Sequence, residues 1–154
     1  MGMQPHFKEL RGRIVSTLSA DLAQYPEKYV VADRYKLIKS SNTTAYVQFQ
    51  GCGPTKRALN ELCLKYEYHV FVGVLDLDAD AAQDLMDDFL NRAVQSLDSH
   101  PNLDAFVTGG EEVFRCRVGE GPNDIDMSRG QDAANNYIQI ARIKVFVETN
   151  QRGV

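Results

Sequence analysis

The chain has 154 residues, of which 44% are hydrophobic and 25% are charged. This is the composition of one soluble globular domain, which we expect to span residues 1–154. No apolar run approaches the ~18–20 residues of a membrane-spanning helix, and the amino-terminal segment lacks the apolar region of an export signal. Three widely spaced cysteines, Cys52, Cys63 and Cys116, favour a reducing compartment and form no zinc-binding spacing with the histidines.

The formal net charge of −4 conceals an asymmetry along the chain. Residues 1–65 carry ten Lys and Arg against five Asp and Glu, whereas residues 76–104 carry eight Asp against Arg92 alone. A strong basic patch is not predicted, which argues against sequence-specific nucleic-acid binding. A surface with one basic side and one acidic side would suit self-association through unlike faces.

The first predicted element is a helix from Pro5 to Gln24, because apolar residues recur at every fourth position and Pro26 ends the pattern. The apolar stripe consists of Leu10, Ile14, Leu18 and Leu22. The segment Tyr29–Ile38 is a candidate strand. Ser40–Thr44 has the composition of a turn.

A strand with alternating polarity is predicted at Ala45–Gln50, and the glycines and proline of Gly51–Pro54 are expected to end it. Lys56–Leu62 is expected to be a helical turn or a loop. The clearest strand is Leu64–Leu75, and its short connection to Ala45–Gln50 favours antiparallel neighbours. One face of this strand carries Tyr66, Tyr68, Val70, Val72 and Val74.

The second predicted helix is Ala79–Leu97, and we expect its buried line to be Leu85, Phe89 and Ala93. The next line along the helix completes a wide apolar face with Met86, Leu90, Val94 and Leu97. Ala105–Thr108 and Val113–Val118 are expected to pair as two short strands. Gly119–Asn136 is predicted to be a loop, either functional or disordered, because it is long and holds only two large apolar residues. Tyr137–Thr149 is predicted to be a central strand.

The order α-β-β-α-(β-β)-β predicts an α+β fold. We expect a two-layer sandwich in which a mostly antiparallel sheet carries the two main helices on one face. The open face would hold Tyr66, Tyr68 and Gln48, or the reverse set, and is a candidate contact surface.

Six aspartates fall within thirteen positions at the start of the second helix: Asp76, Asp78, Asp80, Asp84, Asp87 and Asp88. Counted from Asp76, their spacing is close to that of a calcium loop. However, Ala81 occupies the position that needs Gly, and the polar Gln83 occupies a normally apolar position. A calcium loop also follows a helix, whereas Asp76 follows a predicted strand.

Two other interpretations of the aspartates remain. A metal-dependent hydrolase needs carboxylates that converge from separate elements, and these come from one strand end and one helix. Asp78 or Asp80 could instead cap the helix, and Asp84 would interact favourably with the helix dipole. Capping does not require six carboxylates, so we favour an acidic patch that meets a basic patch on a neighbouring copy. The predicted contact comprises Asp76, Asp78, Asp80, Asp84, Asp87 and Asp88 on one side and Lys8, Arg11 and Arg13 on the other.

Other chemistry finds little support in the sequence. Ser128 lacks the GxSxG context of a nucleophile elbow, and His69, on a strand, is interpreted as a satisfied or surface histidine rather than a base. The segment "GEGPND" lacks the Lys and the Ser or Thr of a phosphate loop. We therefore expect no catalytic residue, cofactor or metal.

The element order and three segments together resemble the tail terminator family of long-tailed bacteriophages and prophages. The segments are "TTAYVQFQG", "KYEYHVFVGVLDLDADAAQDLMDDFLNRAVQSL" and "NNYIQIARIKVFVET", and the resemblance spans residues 5–149. It implies a structural, non-enzymatic virion protein at the head-proximal end of the tail, assembled in the host cytoplasm. Such a protein forms a hexameric ring on the tail tube, stops tube polymerisation and presents the surface that joins the head.

The resemblance implies contacts with the tail tube protein and with a head–tail connector protein. The predicted contact loop comprises Gly121, Asn123, Asp124, Ile125, Met127 and Arg129. Extra residues at Lys28–Thr44 and Gly51–Leu62 depart from shorter family members and leave the roles of individual loops open. The alternatives are a neck or head-completion subunit and, in a different class, a small metal-dependent hydrolase that uses Asp76–Asp88.

Overall fold

A computed structural model describes residues 5–23, 30–31, 43–58, 60–119 and 121–152. Within these ranges the chain forms two helices and seven strands. The helices are α1 (Phe7–Asp21) and α2 (Ala79–Asp98). The strands are β1 (Val30–Val31), β2 (Thr43–Ala58), β3 (Glu61–Asp76), β4 (Val107–Thr108), β5 (Glu111–Val118), β6 (Ile125–Gln131) and β7 (Tyr137–Arg152).

All the described strands belong to one sheet in the order β1-β2-β3-β7-β5-β4. Strand β7 is central: it pairs with β3 on one side, and on the other side it pairs with β6 along its first half and with β5 along its second half. Every pairing is antiparallel except β1 with β2. The α+β class and the mostly antiparallel sheet with two helices are therefore confirmed, with β1 and β6 as strands beyond the predicted order.

The core lies on one face of β3 and β7. As predicted, the alternate residues from Tyr66 to Val74 share this face, and all are fully buried. The register places Tyr68 beside Val145 and Val70 beside Ile143, so the two central strands contribute to one apolar layer. The two tyrosines are therefore core residues, and Gln48 lies on the opposite face because it pairs with His69. The predicted grouping of Gln48 with these tyrosines is wrong.

The first helix is confirmed, slightly shorter than predicted. Its stripe of Leu10, Ile14, Leu18 and Leu22 is fully buried. The carbonyl of Phe7 accepts a hydrogen bond of 2.8 Å from the Tyr68 hydroxyl, which holds the start of the helix over the sheet.

The second helix is also confirmed, but its buried line differs from the prediction. Met86, Phe89 and Ala93 are fully buried, whereas Leu85 is only partly buried at the edge of the core. The spacing of seven residues from Met86 to Ala93 matches two turns of an α-helix, so Met86 occupies the position expected of Leu85.

Strand β2 continues through the segment that was predicted to end it. Register shifts follow Phe49 and Pro54, and these bulges accommodate Gly51–Pro54 without ending the pairing with β3. Lys56–Leu62 is neither a helical turn nor a long loop, because β2 runs to Ala58 and β3 begins at Glu61.

Two further predictions concern the segment before β2. Thr43 and Thr44 belong to β2, so they are not part of a turn, and Ser40–Asn42 lie outside the described residues. Of the candidate strand Tyr29–Ile38, only Val30–Val31 is described, and it forms β1 parallel to β2.

The predicted hairpin of β4 and β5 is confirmed. Gly109 and Gly110 form its turn with φ values of 56° and 82°, in the region that favours glycine. Neither described helix is long and apolar enough to cross a membrane.

Candidate functional site

The acidic segment begins where β3 ends. The Oδ1 atom of Asp76 accepts a hydrogen bond of 3.0 Å from the backbone N–H of Asp78, and Oδ1 of Asp78 accepts one of 3.0 Å from the N–H of Asp80. Asp78 is the N-cap of α2, in extended backbone conformation. Two of the six aspartates therefore satisfy backbone donors at the strand-to-helix junction.

The other aspartates lie on the exposed side of this junction and of α2. Asp80 and Asp84 are exposed. Asp87 accepts a hydrogen bond of 2.7 Å from the Gln83 amide, and Asp88 lies 3.3 Å from Arg92 one turn later. Such exposed pairs contribute little to stability, so these carboxylates remain available for a partner.

The segment before Asp76 is a strand, as expected, and this geometry differs from the helix that precedes a calcium loop. In the described part of the chain, no three His, Cys, Asp or Glu side chains are grouped so that they could hold a metal ion.

The three basic residues predicted to face the aspartates all lie on α1. Lys8 is exposed, whereas Arg11 and Arg13 are half-buried. Arg13 donates a hydrogen bond of 3.3 Å to the carbonyl of Leu103, and its guanidinium lies 5.6 Å from the centre of the Phe106 ring. Arg13 is thus placed beside the segment that leads into β4.

The loop conformation predicted for Gly119–Asn136 is wrong in part, because Ile125–Gln131 forms strand β6. Its contact with a tube or neck protein stays a prediction. Asp124 closes a tight turn: its Oδ2 accepts a hydrogen bond of 2.7 Å from the N–H of Gly121, and its own N–H donates to the Gly121 carbonyl at 3.1 Å. The exposed Asn123 lies in this turn, and its carbonyl accepts a hydrogen bond of 3.4 Å from Arg142. Lys144 lies 3.7 Å from Asp124.

The rest of that segment is strand β6. The register with β7 places Ile125, Met127 and Arg129 on the face of the sheet that carries the core. Arg129 donates a hydrogen bond of 3.4 Å to Gln83, which joins β6 to the first turns of α2. Three of the six predicted contact residues are therefore strand residues on the core face of the sheet.

The opposite face of the sheet carries mixed charges and aromatic rings. Tyr46 and Phe71 stack with ring centres 4.6 Å apart. Lys65 and Arg117 approach the Phe146 ring at 4.6 Å and 5.2 Å. Glu67 and Glu148 lie on the same face, because they pair with Phe146 and Lys65 across β3 and β7, so acidic groups accompany the basic ones there.

Glu111 is a buried carboxylate that no pattern in the sequence predicts. Glu111 is fully buried, and its side chain accepts hydrogen bonds from the Tyr66 hydroxyl at 2.7 Å and from the Thr149 hydroxyl. The Nδ1 atom of His6 lies 2.6 Å from the other carboxylate oxygen. No local signal in "GGEEVF" distinguishes Glu111 from its half-buried neighbour Glu112, because the burial of Glu111 depends on distant partners.

Two of the cysteines, Cys52 and Cys116, are poor nucleophiles. Burial, reinforced by the negative charge of Glu111, raises the pKa of Cys52 to about 11. Burial likewise raises the pKa of Cys116 to about 12. Both thiols are protonated at neutral pH, and a thiol is a much weaker nucleophile than a thiolate.

A second polar cluster joins the ends of the two helices. Ser96 donates a hydrogen bond of 2.6 Å to Asp21, and His100 lies between Asp21 at 3.0 Å and Asp104 at 2.8 Å. The cluster lines an open pocket of about 290 Å³. Ser96 is buried and donates its hydrogen to a carboxylate rather than to a histidine nitrogen, so the cluster differs from a serine–histidine pair.

The charges of this cluster shift the pKa of two groups. The hydrogen bond with Asp104, followed by that with Asp21, raises the pKa of His100 above its usual value. The hydrogen bond from Ser96, followed by the interactions with His100, lowers the pKa of Asp21. The cluster is therefore a link between α1 and the end of α2.

No protein-family model matches the chain, and no curated protein matches it either.

Proposed function

We propose that the chain is a structural virion protein of the tail terminator type, which forms a hexameric ring on the tail tube of a long-tailed phage. The ring would end tube polymerisation and provide the surface that joins the head. The resemblance of residues 5–149 suggests this role. It implies a location at the head-proximal end of the tail after assembly in the host cytoplasm.

The observation that carries the proposal is where the titratable groups lie and what they contact. Glu111, His6 and the cluster around His100 hold the chain's own elements together. By contrast, the acidic junction at the start of α2 exposes several carboxylates beside Leu77, whose side chain is 73% exposed. This distribution supports a surface for assembly better than a catalytic centre.

Within this proposal we describe the fold as a two-layer sandwich with both helices on one face of the sheet. Two contacts support this arrangement. The start of α1 receives the hydrogen bond from Tyr68, and α2 packs against β3, β5 and β7. The other face of the sheet would then be available to the lumen of a ring or to the tube.

The proposed role is tested by adding the purified chain to polymerising tail tube protein of the same phage and imaging the products. A ring at one end of each tube and a limit on tube length are expected. Binding to the head–tail connector without any contact with the tube would favour a neck subunit instead. Free tubes of unlimited length would contradict termination. A heat-denatured sample of the chain serves as the control.

A further inference from the structure

Two exposed apolar sites lie at opposite ends of the sheet. The first, which we name the Leu77 junction, comprises Asp76–Asp80 between β3 and α2. The second, which we name the Phe114 edge, comprises Val107, Phe114 and Arg115 on β4 and β5. Leu77, Val107 and Phe114 are 73%, 63% and 49% exposed, and they are the most exposed large apolar side chains in the described part of the chain.

A β-bulge explains the exposure of Phe114. The register of β5 with β7 pairs Val113 with Thr149 and Arg115 with Glu148, so Phe114 has no partner residue on β7. On its outer side, β5 pairs with β4 only at its first two residues. A large aromatic side chain therefore stands at a sheet edge that no other described strand covers at this point.

Cationic groups flank the Phe114 edge. The Arg115 side chain is 56% exposed, and its Nε lies 3.7 Å from Glu148, beyond hydrogen-bonding distance. Arg13 lies over Phe106, the residue just before β4. Of the two acidic residues on this hairpin, Glu111 is fully buried, and Glu112 is half-buried and already has a partner within the chain.

The Leu77 junction is apolar and acidic, which makes it complementary to the apolar and basic Phe114 edge. Leu77 lies between two aspartates, and the exposed Asp80 and Asp84 follow it along α2. Aromatic and aliphatic anchors with surrounding opposite charges are typical of specific protein interfaces.

The two sites cannot meet within one chain. Asp76 pairs with Tyr137 at one end of the central strands, and Leu64 pairs with Thr149 at the other end. Twelve residues of strand separate these rows, a length of roughly 40 Å at about 3.3 Å per residue. A contact between the two sites therefore requires a second copy.

We propose that the Phe114 edge of one copy binds the Leu77 junction of the next copy. Leu77 packs against Val107 and Phe114, while Arg115 faces the aspartates that flank Leu77. A contact between two unlike sites repeats from copy to copy, and it forms a closed ring when the rotation between copies closes. The inference rests on the proposed function for its closed ring, but the contact can be tested separately.

The test uses two variants of the full chain, Leu77→Glu and Phe114→Glu, with mass measured by light scattering after gel filtration. Each variant alone is expected to lose the ring, because each retains only one working site. An equimolar mixture is expected to form a complex of two chains, because the intact Phe114 edge of one variant binds the intact Leu77 junction of the other. Ile125→Glu, at a site that is 39% exposed on β6, is the matched control and is expected to form the ring.

The possible outcomes distinguish a failure of the proposed contact from a failure of the proposed ring. Wild-type chain that stays monomeric at every concentration overturns both proposals. A wild-type ring that survives in either single variant, or variants that do not combine when mixed, overturns the contact alone. Circular dichroism checks that each variant is folded. Arg115→Glu, which changes charge at a 56% exposed side chain, replaces Phe114→Glu if that variant unfolds.

Discussion

The phenol of Tyr66 donates a hydrogen bond of 2.7 Å to Glu111, and both side chains are fully buried. The same carboxylate accepts from Thr149 and contacts His6, so β3, β5, β7 and the segment before α1 converge on one negative group. Burial and the hydrogen bond to Glu111 raise the pKa of Tyr66. A buried carboxylate with these partners is costly to disturb, because its removal leaves the hydroxyl groups of two other residues without an acceptor.

Glu111→Ala is therefore expected to lower the free energy of unfolding by ~3–5 kcal/mol. Urea unfolding followed by circular dichroism measures this change, since the chain has no Trp. The control is Glu112→Ala at the neighbouring half-buried residue, for which we expect a loss of ~1 kcal/mol or less. Equal losses of unfolding free energy in the two variants would contradict the claim that Glu111 stabilises the fold through its buried hydrogen bonds.

The interaction between Tyr66 and Glu111 can also be tested with a double variant. Tyr66→Phe removes one hydroxyl and should cost ~1–2 kcal/mol. Its cost should fall when Glu111 is already Ala, because the acceptor is then absent. Strictly additive losses in the double variant would mean that the two side chains do not interact.

The link between the helices predicts a dependence on pH. The pKa of His100 is raised in the folded chain, so its contribution to stability is fully present below its usual pKa of about 6.5 and is lost as pH rises through the higher folded value. The urea midpoint of the wild-type chain should fall between about pH 6 and about pH 8 relative to His100→Asn. The effect is small because Asp21 and Asp104 are exposed, and solvent screens their interactions with His100. Parallel pH profiles of the two chains would refute this assignment.

The N-cap of α2 gives a local prediction. Asp78→Ala removes the acceptor for the Asp80 N–H and should lower the free energy of unfolding by ~1 kcal/mol. Asp87→Ala, at an exposed position within the same helix, should change it by no more than ~0.5 kcal/mol. Thermal unfolding of both variants, monitored by circular dichroism, makes the comparison; a larger loss for Asp87→Ala would rule out capping by Asp78.

The phase of α2 can be measured by truncating two adjacent side chains. Met86→Ala removes a fully buried side chain and should cost ~2–5 kcal/mol. Leu85→Ala removes a side chain that is only partly buried and should cost clearly less. The reverse order would restore the helix phase expected from the sequence.

The sequence predicts the structure correctly where the pattern is local. The four-residue repeat from Leu10 to Leu22 and the alternation from Tyr66 to Val74 are direct consequences of helix and strand periodicity. The α+β class followed from these elements. The predicted buried line of α2 is wrong at one residue, with Leu85 in place of Met86, because both are apolar and periodicity alone does not decide between them.

The sequence does not predict the structure where it depends on residues that are distant along the chain. Gly51–Pro54 has the composition of a strand end, yet pairing with β3 carries β2 through it. Strand β6 has few apolar residues, and its conformation depends on hydrogen bonding to β7. The burial of Glu111 likewise depends on Tyr66 and Thr149, which lie 45 and 38 positions away.

The central claim is that the chain is a ring subunit, and its mass in solution tests that claim most directly. Gel filtration with light scattering of the full wild-type chain, over a wide range of concentrations, is expected to give six times the 17.3 kDa of the monomer. A mass of 17.3 kDa at every concentration would contradict it.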